Sequence, residues 1–193
     1  MDNIQEKIQS VQKLYDEWER QIQNFKKETQ LNCLSNCGKC CKQFEPYISL
    51  LDAIVVIDYI KKNEELWTQY LHYKHNNSQP ICPFYHEDRE YRCGIYYKRP
   101  TICRLFSYSC NQNGQYAPCS QIQSIYKQQI QKGMDLVQQG FLLPSLPNAF
   151  KQLCNIDEEL AQSLHPFTKS LELVLPLFQG ENSLHIRNNF IIS

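Results

Sequence analysis

Apolar residues recur along the start of the chain at alternating steps of four and three: Ile4, Ile8, Val11, Tyr15, Trp18, Ile22 and Phe25. That spacing predicts one long helix over 2–30, with a narrow stripe on an otherwise charged and Gln-rich rod. Aromatic residues in so short a seam suit docking on the chain's own domain better than a coiled coil. The alternative is a seam for a protein partner. A cysteine-rich loop over 32–47 follows, closed by Pro46. Ser49-Leu50-Leu51-Asp52 then has the form of a capping box. The helix it opens carries Leu50, Leu51, Ile54, Val55, Ile57 and Ile60, an apolar face wide enough to make it central to the core. A more amphipathic helix is expected over 63–75, before the polar break at 75–80.

The pattern then changes. Stretches 81–85 and 90–96 are short, aromatic and β-prone, which predicts a small hairpin across the charged HEDR segment. Pro100 can open a short helix carrying Cys103 and Arg104. Asn113-Gly114 marks a turn flanked by Cys110 and Cys119. A Gln-rich helix is expected over 121–139, ending near Gly140, followed by a loop through Leu143-Pro144 and Leu146-Pro147. Two further helices are expected, split at His165-Pro166, with Leu160, Leu164, Phe167, Leu171 and Val174 facing inward. The terminal Phe190-Ile191-Ile192 reads as a docked tail.

Composition narrows the function classes. The 193 residues suit one domain with a core of its own. Twenty basic and twenty acidic residues give no net charge, which argues against nucleic acid or an anionic membrane as partner. The most apolar run, 53–57, is too short to span a bilayer. The first twenty residues show no apolar signal core, so a cytoplasmic location with reduced thiols is expected.

The first seven of the ten cysteines are Cys33, Cys37, Cys40, Cys41, Cys82, Cys93 and Cys103. A domain gains little from so many thiols as small hydrophobes, so disulfides or metal must explain them. Reduced surroundings favour metal. Thiolates select zinc, iron–sulfur clusters or Cu(I). Gly38, between Cys37 and Cys40, supplies the tight turn that lets two sulfurs converge. Cys40 and Cys41 are adjacent and diverge, so one is a spare thiol or the group spans two metals or a polynuclear centre. Such an excess of thiolates, without histidine, leans slightly to iron or iron–sulfur over zinc. Four thiolates leave net negative charge, which Arg92, Lys98, Arg99 and Arg104 can balance; Arg99 and Arg104 are the candidate cofactor contacts. Arg89 reads as solvated surface, His86 as a turn residue, and His72 with His75 as a helix face. Cys110 and Cys119 are open as further ligands, and Cys154 as a separate thiol.

The expected fold is mainly α: a helical domain with an irregular cysteine-rich metal-binding loop region and a short β-hairpin. Its expected layout is an N-terminal amphipathic helix over 1–31 and a cysteine-cluster domain over 32–120. A C-terminal helical extension over 121–193 packs on the same domain.

The combined pattern C-x3-C-x2-CC, CPF, C-x-IY-x2-RP-x2-CR resembles the YkgJ-type cysteine-cluster family, also called the CxxCxxCC or putative zinc- or iron-chelating domain. Its pieces are Cys33, Cys37, Cys40 and Cys41; Cys82-Pro83-Phe84; Cys93-Gly94-Ile95-Tyr96; Arg99-Pro100; and Cys103-Arg104. The resemblance implies metal chelation by these cysteines. Some relatives are flagellin lysine-N-methylases, much longer proteins, and no Gly-rich nucleotide loop follows a strand here. The Cys33-x3-Cys37-x2-Cys40 spacing also coincides with the radical S-adenosylmethionine motif, but alternating strands and helices do not follow it. Two function classes result. One is a redox or structural module holding an iron–sulfur or zinc centre. The other is a metal-dependent modifying enzyme, lysine N-methylase-like, with Tyr96, Tyr97, Arg99 and Arg104 lining a pocket.

Overall fold

A computed structural model describes residues 4–34, 37–43, 45–75, 82–87 and 92–178. The chain begins with α1 (Ile4–Thr29), then α2 (Lys39–Gln43), β1 (Tyr47–Ser49), α3 (Leu50–Lys61) and α4 (Glu64–His75). After the second cysteine segment come α5 (Thr101–Leu105), α6 (Ser120–Ile125), α7 (Lys127–Gln138), α8 (Leu146–Cys154), α9 (Glu158–Gln162), β2 (Leu164–Pro166) and α10 (Phe167–Val174). The architecture is mainly helical, as its patterning predicts.

α3 is the axis of the core. Leu51 and Ala53 through Ile57 are fully buried, because α1, α4, α9 and α10 pack around it. The stripe on α1 faces inward, with Ile8, Val11, Tyr15, Trp18, Ile22 and Phe25 all buried. Burying each large apolar side chain contributes about 1.5–3 kcal/mol, so the stripe is spent on the chain's own core. Trp18 satisfies its indole N–H on Gln152 Oε1 at 2.9 Å. Gly133 lets α7 approach α1, since a Cβ there would stand 2.7 Å from Phe25 Cζ.

The capping box at α3 forms in full. Ser49 Oγ accepts from Asp52 N–H, and Asp52 accepts from the Ser49 backbone. β1 and β2 pair antiparallel, Ile48 opposite His165, although over a hundred residues separate them. The hairpin expected over 81–96 is reduced, among described residues, to an antiparallel bridge between Tyr85 and Cys93. Residues 81 and 88–91, including Arg89, lie outside the described residues, as does the tail at 190–192. Tyr96–Lys98 forms a 3-10 turn instead of strand.

The C-terminal half departs further from its pattern. The helix expected over 121–139 breaks at Tyr126, which leaves helical dihedrals at φ −110°, ψ 48°. Leu146-Pro147 opens α8 instead of extending a loop, since the first helical turn needs no proline N–H and Ser145 caps it. α9 is an additional helix, and His165-Pro166 lies in β2. Phe167, Leu171 and Val174 are buried, but Leu164 is half exposed because the strand turns it outward.

Asp157 starts α9, accepting from Leu160 N–H at 2.9 Å and pairing with Lys7 Nζ at 2.6 Å. The Leu160 hydrogen bond, and then Lys7, hold its carboxyl below the ordinary aspartate value. Asp157→Ala should therefore cost about 1 kcal/mol at neutral pH, the usual value of a lost cap. A depressed pKa stabilises above the unfolded value and fades as pH falls through the folded one. Urea denaturation should thus show the gap between variant and parent closing in acid.

Candidate metal centre

Each cysteine reaches its place through a local stop or turn. α1 ends at Gln30, which turns left-handed at φ +59° while its N–H still reaches the Lys26 carbonyl at 2.8 Å. Thr29 Oγ1 accepts from Leu31 N–H, and buried Leu31 pins the chain, so Cys33 emerges at an exposed rim. Gly38 reverses the backbone at φ +53°. Its carbonyl accepts from Cys41 N–H at 3.1 Å and Lys42 N–H at 3.2 Å, which starts α2 with the adjacent Cys40 and Cys41. Their sulfurs stand 3.9 Å apart.

The second segment is tied directly to the first. Cys82 N–H donates to the Cys41 carbonyl at 3.1 Å, and Cys93 faces Tyr85 across the bridge. Gly38 also lies against this turn. A Cβ on it would meet Tyr85 Cε2 at 2.7 Å and Arg92 Cβ at 2.9 Å, so the loop and the turn dock backbone to side chain. Cys103 sits on α5, whose first N–H, from Thr101, donates to Asp52 Oδ1 at 2.9 Å. The motif segments, whose first and last cysteines stand 70 residues apart in sequence, are thereby held against one another.

The thiols act on one another. Burial, then Cys37, Cys40 and Cys119, push the Cys33 thiol up to about 11. Cys40 is raised by its hydrogen bond to Cys41, then by burial and the Cys41 charge, with Arg99 opposing. The same Cys40 bond lowers Cys41, but the Cys82 bond, burial, and the Cys82 and Cys93 thiols outweigh it. Burial raises Cys103, helped by Cys41, Cys93 and Cys40 and opposed by Arg99. These groups cannot all ionise together unless a cation joins them.

Arg99 answers the same need from the protein side. Arg99 stacks 3.8 Å from the Tyr96 ring centroid and lies within reach of the Cys40 and Cys103 charges. Among described residues, the buried Nε groups of Arg92, Arg99 and Arg104 have no hydrogen-bond partner. An orphaned buried donor costs about 1–3 kcal/mol, which an anionic acceptor would recover. Arg104 is turned differently from the sequence expectation. Its Nη atoms reach Glu19 at 2.8 Å and the Tyr97 carbonyl at 2.7 Å, and its guanidinium covers Tyr15. It therefore braces α5 on α1. Burial would raise Glu19, but Gln23, Arg99, Arg104 and Lys26 together hold its carboxyl low.

Glu19 and the second role of Asp52 were invisible in the chain, because both act on partners distant in sequence. Among the described residues, no three His, Cys, Asp or Glu side chains converge in a finished metal-holding arrangement. The sulfurs form a field around the Cys40–Cys41 junction, not a closed coordination sphere. His86 binds Gln69 Oε1 at 2.8 Å. Cys154, at the end of α8, acts as a partly buried thiol packed on the core.

A family model described as "CxxCxxCC: Putative zinc- or iron-chelating domain" matches residues 32–133, more than half of the chain. The chain belongs to the CxxCxxCC family. The matched CxxCxxCC domain extends past the motifs at 33–104 to include Cys110 and Cys119, and leaves α1 and everything after residue 133 outside. Searches of curated proteins and of solved structures find no match. No helix among the described residues is long and apolar enough to cross a membrane. A zinc or iron ion fits the CxxCxxCC residues, since thiols are its preferred donors and unanswered guanidinium N–H groups stand beside them.

Proposed function

We propose that this protein holds an iron–sulfur or zinc centre through the thiolates of Cys33, Cys37, Cys40, Cys41, Cys82, Cys93 and Cys103, serving as a redox or structural metal module. The observation that carries this reading is the meeting of the Cys40–Cys41 junction with Cys82, beside Arg99, whose buried Nε has no hydrogen-bond partner among the described residues. Iron is favoured over zinc by a narrow margin, because the thiols outnumber the four that one tetrahedral ion accepts. When bound, the centre supplies electron transfer if it is iron–sulfur, or a rigid cross-link if it is zinc. The chain's own residues orient the donors. Gly38 presses the first loop onto the second, Asp52 holds the helix of Cys103, and Arg99 offsets thiolate charge.

Anaerobic purification followed by metal and acid-labile sulfide analysis tests the proposal. Iron with sulfide and a broad absorption band near roughly 400 nm is expected. A colourless protein with stoichiometric zinc would assign the structural role instead. Protein that takes up neither metal under reducing conditions would refute chelation by these thiols.

A further inference from the structure

α4 and α10 together line a cavity of about 170 Å³. Its walls are Tyr70, Tyr73 and Lys74 from α4, and Thr168, Lys169 and Glu172 from α10. Tyr70 is 1% exposed, and among the described residues its buried hydroxyl has no hydrogen-bond partner. Trp67 packs against its ring, with centroids 5.6 Å apart. Burial, then the charge of Glu172, push the hydroxyl up to about 12, so it stays protonated at neutral pH. A buried donor without an acceptor is a cost that this packing does not recover, and a ligand oxygen in the cavity would recover it.

Charge selects the ligand. Lys74 Nζ and Lys169 Nζ lie 3.8 and 3.7 Å from the two carboxylate oxygens of Glu172. Both separations exceed hydrogen-bond length, so two ammonium groups share one carboxylate loosely and a single positive charge is left over. Thr168 gives both its N–H and its hydroxyl to Glu45 Oε1, which meets the Glu45 charge at the positive end of α10. A monoanion therefore balances the lining, whereas a dianion would set excess charge against Glu172. The rings of Tyr70 and Tyr73 offer apolar surface to a carbon skeleton.

We propose that this cavity binds a small organic carboxylate, its oxygens between Lys74 and Lys169 and accepting a hydrogen bond from the Tyr70 hydroxyl. None of the six lining residues is a candidate thiol ligand, so the proposal stands or falls independently of chelation.

Calorimetric titration of the full chain, in the metal state in which it purifies, tests this at mildly alkaline pH. Sodium benzoate is the probe and inorganic phosphate the dianion for comparison. One saturable benzoate site per chain is expected. Tyr70→Phe should weaken it about 10-fold, the scale of a hydrogen bond to a charged group. Lys169→Gln should weaken it about 3-fold, as for an exposed ion pair. Glu172→Gln removes the competing carboxylate and should tighten it. In the ligand-free chain, Tyr70→Phe should leave the urea midpoint unchanged or raise it, because it deletes a hydroxyl that has no partner. A lower midpoint would show that hydroxyl already engaged and overturn its role as donor. No saturable benzoate binding, or a Kd unmoved by both Tyr70→Phe and Lys169→Gln, would overturn the site. Tighter binding of phosphate than of benzoate would overturn the choice of a monoanion. Benzoate binding that disappears with the metal in Cys103→Ser would place the carboxylate on the metal centre instead of the cavity.

Discussion

Asp52→Ala should be among the most damaging single substitutions in this protein, lowering folding stability by about 3–5 kcal/mol. The Asp52 carboxylate is nearly fully buried and serves three elements at once. Its Oδ1 accepts from the Tyr15 hydroxyl on α1 and from both the backbone N–H and hydroxyl of Thr101 on α5. Its Oδ2 accepts from Ser49, closing the cap of α3. Alanine leaves all of these donors buried without partners, and each carries its own desolvation cost. Asp52→Asn keeps the shape and one acceptor oxygen, so it should lose roughly half as much. Urea denaturation monitored by circular dichroism measures both. A loss under about 1 kcal/mol for the alanine variant would show that the network relaxes onto other acceptors or water.

Gly38→Val should have its large effect on metal, not on the global fold. Two penalties act together there. The residue occupies φ +53°, which costs a non-glycine residue about 1–2 kcal/mol and a β-branched one more. The new side chain would also begin 2.7 Å from Tyr85 Cε2 and 2.9 Å from Arg92 Cβ. The tyrosine ring can swing aside, but Arg92 Cβ is fixed to its backbone, so the 37–43 loop must lift from Tyr85 and Arg92. That separates Cys37, Cys40 and Cys41 from Cys82 and Cys93. Metal per chain should fall to half or less, while the urea midpoint moves little because α2 buries no core residue. Gly38→Ala should lie between parent and valine. Parental metal content in Gly38→Val would show that the close approach is not needed for the centre.

Both predictions bear on how far the chain could be read. The heptad stripe of α1, the capping box of α3 and its all-apolar face were legible, since each is set by residues within one or two helical turns. The pairing of Tyr47–Ser49 with Leu164–Pro166 was not, because its two halves lie over a hundred residues apart in sequence. Arg99 and Arg104 looked equivalent in the string RPTICR. In the structure Arg99 comes under the charge of the thiols and lies 3.7 Å from Glu19, while Arg104 makes the closer pair with Glu19 on α1 at 2.8 Å. Glycine at position 38 was recognisable as a turn, yet the reason it tolerates no side chain is Arg92, more than fifty residues on.

Spacing of cysteines, glycine and proline was enough by itself to mark a thiol metal-binding segment and a helical scaffold, because ligand type and helix periodicity are local properties. The meeting of the first cysteine loop with the second at Cys41 and Cys82, and the docking of α5 through Asp52, came only with the tertiary structure. They depend on packing between segments that no periodicity relates, and on buried polar groups whose partners are chosen by the fold.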